Sequence, residues 1–171
     1  MIKRGSIVLE PFEMKYLDNY FTGFNGEVTK YQWPDPFESI DDAQAVLQGF
    51  IDDTERGEML FFSVLSDDGA FVGSAELHGL DGDCPEVGIW IIESERSKGY
   101  AYDALCAMLE LAHEKYGKHE FFYEADTRNE ASAGLLKKLG ATYDITDLET
   151  DELITDTGKQ LKLCGHTLKV R

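Results

Sequence analysis

A chain of 171 residues fits one domain, residues 1–171, and is long enough to bury a core. Its net charge of -17, from 33 acidic against 16 basic side chains, opposes binding to nucleic acid and favours cationic partners such as amines or basic peptides. No apolar run approaches the roughly 20 residues that cross a bilayer, and "MIKRGSIVLEPFEM" lacks the apolar stretch of a secretory signal, so a cytoplasmic protein without a membrane partner is expected.

In chain order, "SIVLEPF" reads as a strand ended by Pro11, and "EMKYLDNYFTGF" as a short helix with Met14, Leu17 and Phe21 on one side. "YQWPDPF" is a loop, because Pro34 and Pro36 forbid regular structure there. Ser39 is placed to cap the next helix, with Asp42 at the capping-box position and Ala43, Val46, Leu47, Phe50 and Ile51 at helical spacing. "MLFFSVLSDDGAFVGSAELHGL" is a hairpin about "SDDG", and "PEVGIWII" a buried strand. Residues 99–116 form a long helix, "EFFYEA" a strand, and Asn129 caps a helix that ends at Gly140 in a left-handed cap. "ATYDITDLE" and "KQLKLCGHTLKV" are two final strands. The fold class is α/β, with a mixed, mostly antiparallel sheet of about seven strands flanked by about four helices, because only the unit from 86 to 126 requires a parallel pair.

Cys84, Cys106 and Cys164 are odd in number, far apart and without a C-x-x-C pair, which reads as free, buried thiols. The histidines show no zinc spacing, and "DGDCPE" does not continue into a calcium loop, so no metal is expected.

The stretch "RSKGYAYDAL" follows the strand "EVGIWII" and opens a helix. N–H groups in a first helical turn have no intrahelical partner, and the helix dipole adds positive potential there. Gly99 lets an anion approach the backbone, and Arg96 and Lys98 add charge. These features serve either an ordinary capped helix start or a cradle for a phosphate-bearing ligand.

Arg96, Gly99 and Ala101 match the Q/R-x-x-G-x-G/A signature of the GNAT superfamily of acetyl-CoA-dependent N-acetyltransferases, and "NEASAGLLKKLGA" resembles a segment of its RimL-like branch, which includes ribosomal-protein N-terminal acetyltransferases. "VTKYQWPDPFESIDDA" and "FVGSAELHGLD" are similar to segments of that branch, so the likeness spans nearly the whole chain. The resemblance implies a GNAT fold, acetyl-CoA as cosubstrate and an amine acceptor: a protein N-terminus, or a small amine such as a polyamine or aminoglycoside. A non-catalytic acyl-CoA-binding module is the rival. The resemblance allows a homodimer, because many members are dimers.

It also implies roles. Residues 96–101 (Arg96, Ser97, Lys98, Gly99, Tyr100, Ala101) would hold the pyrophosphate, Ile91 and Ile92 would offer backbone groups to pantetheine, and Asn129 would bond its arm or simply cap the helix. Glu86 lies near where some members carry a base carboxylate, with Glu76 and His78, on one face of the preceding strand, as substitutes; strand-end or solvated polar groups are the alternative. Ser132 matches a serine proposed as the acid in the RimL-like branch. Tyr31, Trp33, Phe37 and Trp90 would wall the acceptor site or belong to the core, with Asp35 and Glu38 drawing a cation to it. In three places the chain departs from the pattern. Ser97 stands where many members have Gly, Leu136 where many have a Tyr acid, and Ala141 where Phe is usual.

Overall fold

The computed structural model describes residues 1–171. The chain runs β1 (Ile2–Arg4), β2 (Ile7–Pro11), a 3-10 turn (Met14–Tyr16), α1 (Leu17–Gly23), α2 (Ile40–Glu55), β3 (Met59–Ser66), β4 (Phe71–His78), β5 (Glu86–Ile91), a second 3-10 turn (Glu93–Glu95), α3 (Tyr100–Tyr116), β6 (Glu120–Asp126), α4 (Glu130–Leu139), β7 (Tyr143–Ile154) and β8 (Gln160–Val170). The strands form one sheet in the order β1-β2-β3-β4-β5-β6-β8-β7. Only β5 and β6 are parallel, as the sequence requires. The eighth strand is β1, whose three residues "IKR" are too few to show alternation; Gly5, at φ +52, folds it back onto β2.

Alternation along the central strands sends side chains to two cores. Leu60, Phe62, Ala75, Leu77, Val87 and Phe121 pack with Leu105, Met108 and Leu109 of α3. Met59, Phe61, Phe71 and Trp90 pack on the other face with Tyr20 and Phe24 from the α1 region and Leu47 of α2. Strand β3 is buried at every residue, which explains its unbroken apolar run in "MLFFSVL". The Ser39 hydroxyl accepts from the Asp42 N–H at 3.1 Å and caps α2.

Met14 of the 3-10 turn and Leu17 of α1 pack against the second core beside the buried Tyr20. Three local expectations are corrected. Gly140 is right-handed, at φ -60, because the chain continues into a further turn; the left-handed helix-ending glycine is Gly117, at φ +66. Strand β7 runs on to Ile154, since β8 supplies a ladder that the polar sequence does not announce. Cys84 is exposed, while Cys106 is buried.

No helix is long and apolar enough to cross a membrane. The feature that positions the site is a fork in the sheet. The parallel ladder holds only Glu86 with Phe122 and Val87 with Tyr123; past that point β5 and β6 part.

Candidate active site

The fork leaves one edge of β5 without a strand. The Ile89 carbonyl faces it and accepts from Gln32 Nε2 at 3.4 Å. Backbone groups alternate along a strand, so those of Ile91 face the fork as well. Ile92 does not contribute its N–H, which is bound to the Val72 carbonyl at 2.8 Å. Of the expected isoleucine pair, only Ile91 has its backbone groups on the open edge, and Ile89 lies on that edge with it.

Two cavities meet at the fork, one of about 530 Å³ and one of about 690 Å³, and both are bordered by Tyr31, Gln32, Ile89, Trp90, Tyr123, Asn129 and Ser132. The first reaches the start of α3, where Arg96, Ser97, Gly99, Tyr100 and Ala101 line it. The first helical bond runs from the Asp103 N–H to the Gly99 carbonyl, and no side chain caps the helix. The N–H groups of Tyr100, Ala101 and Tyr102 thus lack helical partners beside the cavity.

Gly99 has φ +83, and a Cβ there would meet no atom within 4 Å, so glycine is required by backbone conformation rather than by crowding within the protein. Ser97 has φ +65, the one non-glycine residue in the left-handed region. That costs about 1 kcal/mol, so this departure from glycine carries strain. Lys98 bonds Glu95 at 2.6 Å and does not line the cavity, which leaves Arg96 as the cation of this turn that does.

The second cavity has an acidic floor between aromatic walls. Glu76 Oε1 accepts from the hydroxyls of Tyr20 and Ser74, each at 3.0 Å, and Oε2 lies 3.0 Å from His78 Nε2. A Cβ on Gly88 would lie 3.2 Å from Oε2, so this glycine keeps the carboxylate uncovered. Burial and the Glu76 charge hold the Tyr20 hydroxyl well above its ordinary range. Burial alone would lower the His78 imidazole, but its bond to Glu76 and the charges of Glu76, Glu86 and Asp53 outweigh that and raise it. Glu86, exposed at the start of β5, lines the same cavity, as does Glu124 on β6. Burial raises the Glu124 carboxyl, and the charges of Glu86 and Asp151 raise it further.

Trp33 and Asp35 lie on the wall, and Trp33 is 67% exposed. Trp90 is buried, and its Nε1 has no hydrogen-bond partner. Asp35 is not free to draw a cation. Lys159, from the β7–β8 hairpin tip, bonds its carboxylate at 2.7 Å and the carbonyls of Thr29 and Gln32 at 2.9 and 2.7 Å, while Thr157 donates to Asp35 at 2.6 Å. Those bonds lower the Asp35 carboxyl. Glu38 is exposed and lies off the wall. The loop is pinned a second time, by the Arg128 guanidinium 5.1 Å from the centre of the Tyr31 ring. Asp126 holds Arg128 through two side-chain bonds of 2.8 Å, accepts from the N–H groups of Arg128 and Lys162, and is pushed down to about 2, chiefly by Arg128.

At the junction, Asn129 Oδ1 accepts from the Ser132 N–H at 3.2 Å, which caps α4 and leaves the amide nitrogen for a ligand. The Tyr123 hydroxyl donates to Ser132 Oγ at 3.1 Å. Leu136 packs into the core and borders neither cavity.

Sequence reasoning missed Gln32, Ile89, Tyr123, Glu124 and Lys159. Only Glu124, polar in an otherwise apolar strand, carried a local signal. The others owe their place to contacts across the sheet.

No curated protein matches the chain in sequence. Among solved structures, a GNAT-family acetyltransferase from Bacillus anthracis is 18% identical, with a TM-score of 0.77 over 98% of this chain and 97% of its own. Spermidine N-acetyltransferase from Vibrio cholerae, in complex with CoA and spermine, is 17% identical, with a TM-score of 0.76 over 96% of each chain. RimL, a ribosomal-protein α-N-acetyltransferase in complex with coenzyme A, is 14% identical, with a TM-score of 0.79 over 96% of this chain and 94% of its own. These likenesses concern the fold. The acetyltransferase (GNAT) domain family matches residues 6–142, which takes in the fork, the turn before α3 and the Asn129–Ser132 cap, and the chain belongs to that family.

Proposed function

We propose that the protein transfers the acetyl group of acetyl-CoA to a primary amine that arrives as a cation, either a protein N-terminus or a small polyamine-like molecule. The observation that carries this reading is the fork itself: two cavities, one ending on unpartnered helix N–H groups and one floored by carboxylates, meet at a few shared residues. Acetyl-CoA supplies an activated thioester whose leaving group, a thiol, ionises near a pKa of about 8.5.

The chain's own residues do the rest. The turn at 96–101 and the start of α3 hold the pyrophosphate. The Ile89 and Ile91 edge and the Asn129 amide align pantetheine, and the Ile91 N–H faces the developing oxyanion. Glu76, Glu86 and Glu124 attract the ammonium, and the aromatic walls take its carbon chain. The amine must lose a proton before it attacks, at a pKa of about 7.7 to 8.0 for an N-terminus and about 10.4 for a lysine-like amine. Glu124 takes that proton, directly or through water, and the charge of Glu86 makes it a stronger base. Ser132 hydrogen-bonds the departing sulfur.

Thiol release from acetyl-CoA, measured with a panel of N-terminal peptides and polyamines, tests the reading. Release with at least one amine is expected, together with a rise in melting temperature on adding CoA. Thermal protection by CoA without thiol release from any amine would reveal a binding module instead. Absence of protection as well would reject the cofactor site.

A further inference from the structure

Tyr123 and Ser132 both border the two cavities, and Tyr123 is buried while Ser132 is half-buried. The geometry points to Tyr123 as a positioning residue for the acetyl transfer: by donating a hydrogen bond to Ser132 Oγ, it turns the Ser132 proton away from β6 and into the junction that the thioester sulfur would enter. The inference rests on the acetyltransferase reading above.

A hydroxyl has one proton and two lone pairs. The Tyr123 O–H occupies one lone pair of Ser132 Oγ at 3.1 Å, so the serine proton must point elsewhere. Donation in this sense is the favoured one, because a phenol is the stronger donor and an aliphatic hydroxyl the better acceptor. The Ser132 backbone cannot drift, since its N–H is bound to Asn129 Oδ1 at 3.2 Å. A serine on an exposed helix turn would sample several hydroxyl directions. This one is limited by a side chain from a different element.

In the transfer, the amine nitrogen forms a bond to the acetyl carbon, the C–S bond breaks, and its electron pair goes to sulfur. The Ser132 O–H hydrogen-bonds the sulfur as charge grows there. The amine, bound as an ammonium, sheds one proton before it attacks and a second as the amide forms; both leave through Glu124 to solvent, and one proton returned from solvent completes the thiol. Tyr123 keeps its own proton throughout. Burial raises its hydroxyl above the ordinary value of about 10, well above a thiol, so transfer of that proton to sulfur is uphill.

The test is a double-mutant cycle read as kcat and as KM for acetyl-CoA, with an amine that the wild type acetylates. Tyr123→Phe and Ser132→Ala should each lower kcat about tenfold, the size of one lost hydrogen bond to a charged atom. KM for acetyl-CoA should change less than about twofold, and the double variant should be no slower than Ser132→Ala. Losses that multiply to about a hundredfold, or a Tyr123→Phe enzyme with wild-type kcat, overturn the inference. A raised KM with unchanged kcat also overturns it, because that marks a merely structural role. Ser132→Ala retains Tyr123 and reads the same donor from the other side: unchanged kcat there rejects the proposal even if Tyr123→Phe is too unstable to assay. A wild-type protein that releases no thiol with any amine rejects the acetyltransferase reading first, and this inference with it.

Discussion

The two cavities that meet at the fork are built by different means. The one that reaches α3 is lined at its far end by backbone: a turn with two left-handed residues, uncapped helix N–H groups, and the open edge of β5. Its essentials lie in one continuous stretch, residues 89–102. The other is assembled from side chains on separate elements, with Glu76 from β4, Glu86 from β5, Glu124 from β6, and Tyr31 and Trp33 on a loop held by Lys159 from the far hairpin. Backbone geometry accommodates a phosphate whatever side chains surround it. Recognition of an amine depends on where individual charges and rings are brought. The first cavity should therefore tolerate substitution, and the second should respond to single changes far from it in sequence.

The largest expected effect falls on the corner that ties the two together. Asp126→Ala removes a carboxylate that accepts four hydrogen bonds and is 2% exposed, and should destabilise the fold by about 3 kcal/mol in denaturant unfolding. The pH dependence has a fixed sign. A carboxyl lowered in the folded state stabilises fully above its unfolded value of about 3.9, and that stability is lost as pH falls through about 2. An Asp126→Ala protein with wild-type stability at pH 7 would show that the corner is not held by this cluster.

Next come the carboxylates on the cavity wall. Glu124→Gln should lower kcat by ~10²-fold at neutral pH and leave KM for acetyl-CoA unchanged. Glu86→Gln removes one of the charges that raise Glu124, so the acidic limb of the kcat/KM profile should move to lower pH. If Glu124→Gln keeps wild-type kcat while Glu86→Gln loses it, the base is Glu86.

Lys159→Met probes the reach of the hairpin. It unmakes bonds to Thr29, Gln32 and Asp35, and should cost about 1 kcal/mol of stability and raise KM for the amine several-fold. A matching rise in KM for acetyl-CoA would erase the distinction between the cavities.

The smallest effect is a gain. Ser97→Gly should relieve left-handed strain and stabilise the protein by somewhat less than ~1 kcal/mol, measured as a higher melting temperature, with CoA affinity retained. A loss of CoA affinity would mean that the Ser97 side chain, and not only its backbone, serves the phosphate.

The sequence alone determined the element order, the single parallel pair, the capping of α2 by Ser39 and of α4 by Asn129, and the turn before α3. Each of these is set by residues within a few positions of one another, through helical spacing, strand alternation or a capping side chain. It could not supply β1, which exists only as a partner of β2, nor the final length of β7, whose polar residues pair because β8 lies alongside. The engagement of Asp35 by Lys159, 124 residues along the chain, the burial of Trp90 and the meeting of Tyr123 with Ser132 were likewise decided by tertiary structure. An exposed loop and a polar strand have few local preferences, and their conformation is chosen by the surface that covers them. What remained hidden was therefore the second cavity, because charge, direction and access there depend on contacts between elements that no spacing along the chain encodes.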